Sequence, residues 1–535
     1  MLASKKRSLI RTTAALAALG LGLSACASTP ESGEGTTNGG TLKFAVANDP
    51  VSLNPAALGG GNDTWYVTRQ LFDSLVFQNP KTLELEPWLA KEFSSNDEAT
   101  EWTFKLRDDV TFSDGSKLTA STVKGNIDSA KKAGATSGAA GPLTHYKGTE
   151  VIDEHTVVVK FSEPNVAFPV QASSTWFGIV SDASLKVPFE DRTDGSKISG
   201  SGAFELDSYK KDQSVVLSKR KGYEWAPTYF DNDEGAALDK VEFSIVPEPG
   251  NRTGGLTSGQ VDVAGGVAPN DIESVAASSN IVERANPGAV FGISFNEESP
   301  LTRDPLVREA ISYAVDAKEV RDGALNDHFP VAKSPLGHLT QDYADVSADI
   351  AKQDPDKAAE ILDEAGWKVG SDGIREKDGK QLNLRFLWGP NFSANADSIA
   401  ILQQQLEDVG FKVKQLSDPA TAQQIRADKA YDISWSNTSS TDPDVLRTNF
   451  TDSGAYSNPV SDQDLEDRLK RQVTVSDEAE RADLVKQIQR DLVTGFHFVP
   501  VHELATIIGT SDDVDDLELG ADTRLTLLIN TTKAH

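Results

Sequence analysis

Sulfur is almost missing from this chain of 535 residues, which has one cysteine, Cys26, and one methionine, Met1. A single cysteine closes no internal disulfide, and a core without methionine holds no oxidisable thioether. Histidine is sparse as well, at seven. His497 and His502 lie five apart in a strand-like segment, which puts them on opposite faces and argues against a shared zinc. No G-x-S-x-G elbow, G-x-x-x-x-G-K-[ST] phosphate loop, H-E-x-x-H or C-x-x-C occurs, so neither an enzyme nor a cofactor is expected. Positive charge is short too: 52 Lys and Arg against 81 Asp and Glu give a net charge of −29, which excludes nucleic acid as a partner. Beyond the first 25 residues no apolar run approaches the roughly 20 residues that a membrane-spanning helix needs.

What is present begins with an export signal. Lys5, Lys6, Arg7 and Arg11 form a positive start, Ala14 to Leu23 is apolar but short, and Leu23-Ser24-Ala25-Cys26 follows. That tetrapeptide resembles a bacterial lipobox, which implies cleavage before Cys26 and a diacylglycerol on its thiol. The alternative is an ordinary signal peptide cut at an A-x-A-like site. Ala27 to Gly40, rich in Ser, Thr, Gly, Pro and Glu, reads as a flexible tether. The expected location is the outer face of the cytoplasmic membrane, with membrane contact through the lipid anchor only. The remaining length exceeds what one core supports, so two or more lobes are expected.

Periodicity gives the fold class. Leu42, Phe44 and Val46 alternate as a strand, and so do Trp102, Phe104 and Leu106, with a helix starting near Thr119. Val151-Ile152 and Thr156 to Phe161 flank Asp153-Glu154-His155 as a hairpin. Asp304-Pro305 and Asp354-Pro355 each supply an N-cap followed by proline at the first helical position. From 382 to 435 the pattern is β-α-β-α-β: a strand through Leu382, Leu384, Phe386 and Trp388, a helix from Ser398 to Val409, a strand from Phe411 to Leu416, a helix from Ala420 to Lys429 and a strand from Tyr431 to Trp435. Such a unit makes a parallel sheet, and ligands bind beyond the carboxyl ends of its strands. Two ends fall at Trp388-Gly389-Pro390-Asn391 and Trp435-Ser436-Asn437-Thr438, giving Trp388, Asn391, Trp435, Asn437 and Thr438 as candidate ligand-binding residues.

Several ordered blocks then carry a family resemblance. They are Glu101 to Arg107 with Val110 to Gly115 and Leu118-Thr119-Ala120, then Ser199 to Phe204, Leu238 to Phe243, Ser258 to Val263, Pro305 to Ile311, Ala359 to Trp367 and Asp442-Pro443-Asp444. The chain resembles family 5 of the bacterial extracellular solute-binding proteins, the peptide-, nickel- and oligopeptide-binding lipoproteins of ABC importers. The resemblance implies an α/β, two-lobed periplasmic-binding-protein-like fold (type II, Venus-flytrap) with an extra subdomain in lobe one. Lobe one would span 41–283, with the subdomain at 79–189, and take back the chain from 500 to 535; lobe two would span 284–499. Crossings near Ala285 to Gly288 and His497 to Pro500 would form the hinge.

The function implied is capture of a small polar ligand by a monomer and its delivery to an ABC permease and ATPase complex, with a peptide as first choice. A metal chelate, an oligosaccharide or another polar metabolite stays open, as do an exported hydrolase and a lipoprotein acting by protein contact in signalling or chaperoning. One feature departs from the family's peptide binders, which place an aspartate a few residues before Asp-Pro-Asp to pair with the ligand's ammonium. Trp435 to Thr441 holds no acid, so Asp442, Asp49 or Asp63 would have to substitute.

Overall fold

The structure is a computed structural model that describes residues 39–59, 61–232, 234–390, 392–452 and 457–534. Cys26, the lipobox and most of the tether lie outside the described residues. The described residues form one compact unit built around two large sheets.

The first is seven-stranded, in the order Asn280–Ala285, Ala505–Thr510, Val263–Gly265, Thr41–Val46, Lys240–Ile245, Ser214–Lys219, Phe204–Lys210. Its central strand Thr41–Val46 runs parallel to both neighbours. Leu42, Phe44 and Ala45 have no exposed surface, as expected where a sheet is covered on both faces. A four-stranded sheet, Ala90–Ser95, Glu101–Leu106, Thr156–Phe161 and Tyr146–Asp153, adds a subdomain to this lobe, and Trp102, Phe104 and Leu106 sit on its second strand. Thr119 caps the helix Ala120–Ala133 by accepting from the Thr122 backbone N–H at 3.2 Å.

The second sheet has five strands, in the order Lys412–Leu416, Asn383–Leu387, Ile433–Ser439, Gly288–Phe295, Phe498–His502. The first three pair in parallel, with the helices Asn395–Asp408 and Pro419–Ala427 as crossovers. The β-α-β-α-β unit therefore stands where its periodicity placed it. Asp304 and Asp354 cap their helices through the backbone N–H groups of Leu306 and Lys357.

Two crossings join the sheets. The first runs from Ala285 to Gly288. A side chain at Gly288, whose φ is +107°, would meet the Thr438 carbonyl oxygen at 2.1 Å, so only glycine lets this crossing lie against the neighbouring strand end. The chain returns between His502 and Ala505, past the expected His497 to Pro500. Pro500 stays within Phe498–His502 because that strand is at the sheet's edge, where a missing N–H breaks no ladder. The crossings bond each other through Asn286 N–H to the Leu504 carbonyl at 2.7 Å.

A titratable pair braces the second crossing. His338 Nδ1 lies 2.7 Å from Glu503 Oε2, and this hydrogen bond, with the carboxylate's charge, holds the histidine above its ordinary pKa. A raised folded-state pKa gives stability that is full below the unfolded value near 6.5 and lost as pH climbs through the folded value. The His338 side chain is 44 % exposed, so solvent screening limits the effect to at most about 1 kcal/mol. Melting curves should fall slightly between pH 6 and 8, and His338→Gln should lose that slope; an unchanged slope would detach the pair from folding.

Candidate functional site

The helix Asn62–Leu71 is buried from Asp63 to Leu71 and sends Asn62, Trp65, Tyr66 and Arg69 to one side, at helical spacing. Asn62 Nδ2 donates to Thr506 Oγ1 at 3.2 Å, Thr506 Oγ1 to Asn286 Oδ1 at 3.2 Å, and Asn286 Nδ2 to Ser439 Oγ at 3.1 Å. This chain of bonds runs from a lobe-one helix, over the crossings, to a strand end of lobe two. It fixes the place where the two lobes face each other. Thr441 Oγ1 donates to Gln78 Oε1 at 2.7 Å, and the Val166 N–H bonds the Val473 carbonyl at 3.2 Å, so the lobes also touch away from the crossings.

The lobe-one wall is aromatic and cationic. Trp65 meets Trp176 edge-on at 5.1 Å, and the Arg524 guanidinium lies 3.9 Å from the Trp65 ring centroid. Arg69 Nη2 holds Asp522 Oδ2 at 2.6 Å, while Arg524 Nη1 reaches the same oxygen at 3.5 Å. On the lobe-two side Phe291 stacks on Trp435 at 5.3 Å and on Phe392 at 5.9 Å, with His502 5.0 Å away. Burial pushes the His502 imidazole down to about 4, which keeps the ring neutral at physiological pH. With Nδ1 beside the Glu503 carbonyl at 3.0 Å, a neutral ring carries its proton there and leaves Nε2 as an acceptor.

The expected residues divide sharply on this frame. Leu387 pairs with Ser434, which puts Trp388 and Trp435 at neighbouring strand ends. Both rings nevertheless belong to the core of the second lobe, 8 % and 2 % exposed. Their N–H groups are already engaged, Trp388 with Gln415 Oε1 at 3.1 Å and Trp435 with Asn395 Oδ1 at 3.0 Å. They form a floor under the strand ends and not an open wall. Asn437 is half-buried and Thr438 exposed above that floor. Asn391 lies outside the described residues.

Asp442 is 1 % exposed and is gripped by Arg481 at 2.7 and 3.0 Å. Breaking so buried a pair is costly, which reserves the carboxylate for the fold. Asp444 takes Arg447 at 2.6 Å through both oxygens and Gln472 at 2.7 Å, so the Asp-Pro-Asp motif clamps the segment after the site strand. Asp63 accepts from the Asn48 backbone and side-chain N–H groups at 2.8 and 2.9 Å, and burial raises its pKa. Asp49 Oδ2 accepts from the Tyr209 hydroxyl at 2.5 Å, while its Oδ1 has no partner among the described residues.

Trp65, Arg69, Trp176, Arg284, Asp522 and Arg524 were not legible in the sequence. Only the Asn62, Trp65, Arg69 spacing hinted at one face; the others arrive from chain segments hundreds of residues apart. Among the described residues no group of three or more His, Cys, Asp or Glu could hold a metal ion, and no helix is long and apolar enough to cross a membrane.

Comparison with known proteins agrees with this architecture. Residues 84–458 match the family described as bacterial extracellular solute-binding proteins, family 5, middle. The chain is similar to the probable D,D-dipeptide-binding periplasmic protein DdpA of Escherichia coli, with 26 % identity over 86 % of this chain and 87 % of that one. It is also similar to the E. coli nickel-binding periplasmic protein, with 24 % identity over 70 % and 72 % of the two chains. Among solved structures, NikA from Brucella suis in complex with Fe(III)-EDTA superposes with a TM-score of 0.80 at 22 % identity, covering 92 % of this chain and all of that one, a likeness of fold. The chain belongs to family 5 of the bacterial extracellular solute-binding proteins, which carry substrates and are not enzymes.

Proposed function

We propose that this protein is the extracytoplasmic, lipid-anchored substrate-binding component of an ABC importer, capturing a small polar ligand, a peptide as first choice, between its lobes and passing it to a permease and ATPase complex. The observation that carries the reading is the bond chain Asn62–Thr506–Asn286–Ser439, which ties a lobe-one helix, the crossings and a lobe-two strand end around one cleft. Asn437 and Thr438 offer polar groups to the ligand from the strand end. An α-ammonium would meet Asp49, whose Oδ1 lacks a hydrogen-bond partner among the described residues. The relatives named for a dipeptide and for nickel support the uptake class and leave a metal chelate as the second reading.

Three measurements test this. If Cys26 carries the lipid, Cys26→Ala should leave the melting temperature unchanged and move the protein from the membrane fraction to a soluble one; membrane retention would refute the anchor. A ligand that binds only the folded state should stabilise the protein by roughly 2.7 kcal/mol at a hundred times its dissociation constant, and small-angle scattering should show compaction at the same time. A saturating ligand that leaves the radius of gyration unchanged would remove lobe closure from the mechanism. For the floor beneath the strand ends, Trp435→Ala should cost about 3 to 5 kcal/mol of stability and leave affinity intact while folded. A loss of roughly 1 to 3 kcal/mol in binding at unchanged melting would return the ring to the ligand.

A further inference from the structure

Arg69, Arg284 and Arg524 gather in lobe one around a single carboxylate, Asp522. Arg69 and Arg524 share one of its oxygens, and the charge of Asp522 also reaches Arg284. The other contact of Arg284 is neutral, Nη2 donating to the Pro80 carbonyl at 2.7 Å. Three guanidiniums against one carboxylate leave a surplus of positive charge in a chain of net charge −29. The Nε groups of all three arginines are buried without a hydrogen-bond partner among the described residues. Desolvation holds Arg284 and Arg524 below their ordinary pKa, so keeping these charges together is unfavourable unless something negative completes the set.

The cluster also adjoins the bond chain that links the lobes. Arg69 shares its helix side with Asn62, the first member of the inter-lobe bond chain. Arg284 pairs with Thr506, the second member of that chain, across the antiparallel strands Asn280–Ala285 and Ala505–Thr510, and directly opposed residues share a face of the sheet. Arg524 covers Trp65. We propose that Arg69, Arg284 and Arg524 form the seat for a carboxylate of the transported molecule, so that the ligand is an organic acid, such as a peptide with a free C-terminus, docked by its anionic end on lobe one. The inference rests on the uptake reading of the cleft and specifies the ligand's charge there. A planar guanidinium suits the task because it offers paired donors to a carboxylate.

The full chain is titrated with di- and tripeptide pools bearing free carboxylates, with the same pools as carboxamides, with citrate and with inorganic phosphate, and read by calorimetry and melting. Free acids or citrate should bind, carboxamides should bind at least about tenfold more weakly, and Arg284→Gln should lose a similar factor for the acids. Unliganded Arg284→Gln should melt no lower than the wild type, since it removes a charge that burial penalises. Carboxamides binding as well as acids, phosphate preferred to every carboxylate, no binding by any acid tested, or Arg284→Gln binding acids normally would each overturn the assignment. A variant that melts much lower without ligand would do the same by making Arg284 structural. The uptake reading fails by a different result: protein purified from its own host that holds no small molecule by native mass spectrometry, from a strain whose uptake is unaffected by its deletion.

Discussion

The relation of the two lobes depends on Asn286. Its backbone N–H bonds the Leu504 carbonyl and so joins the two crossings, while its amide accepts from Thr506 and donates to Ser439. The residue is 7 % exposed, and an unpaired amide there would carry the full cost of desolvation. Pro287 follows at once and biases Asn286 to an extended backbone, which the crossing requires. Gly288 then lets the chain lie against the strand end where Thr438 and Ser439 stand. Three consecutive residues thus set both the first crossing and its seat against the lobe-two strand end.

What the sequence could reveal follows from the range of the forces involved. The unit from 382 to 435 was legible because alternation, helical spacing and stop residues are local, and Asp304, Asp354 and Thr119 acted as caps within three residues of their partners. The first crossing was legible for the same reason. The return crossing was misplaced by a few residues because proline reads as a break, and nothing local says that the strand holding Pro500 is an edge.

The site was legible only in part. A tryptophan at a strand end is equally suited to core or wall, and the choice fell to Asn395, forty residues before Trp435, whose side-chain oxygen takes the indole N–H. Asp442 is held by Arg481, on the helix Glu478–Thr494, which no local pattern around Asp442 announces. Both outcomes come from long-range pairs, and one sequence without its fold does not state those pairs.

Charge shows the same limit at larger scale. A net charge of −29 describes a solvated acidic surface and excludes nucleic acid. Net charge, however, averages over a surface on which exposed acids are screened within about 10 Å at ordinary ionic strength. A ligand in the cleft experiences the groups that line it, in a medium where water is scarce and interactions are less damped. There the local balance is reversed, with three arginines around Asp522 beside an aromatic wall. The acidic exterior and the basic cleft have separate consequences: the first keeps a large exported protein apart from its own copies, and the second selects what enters between the lobes. The sign of the whole therefore carries no information about the sign of the ligand.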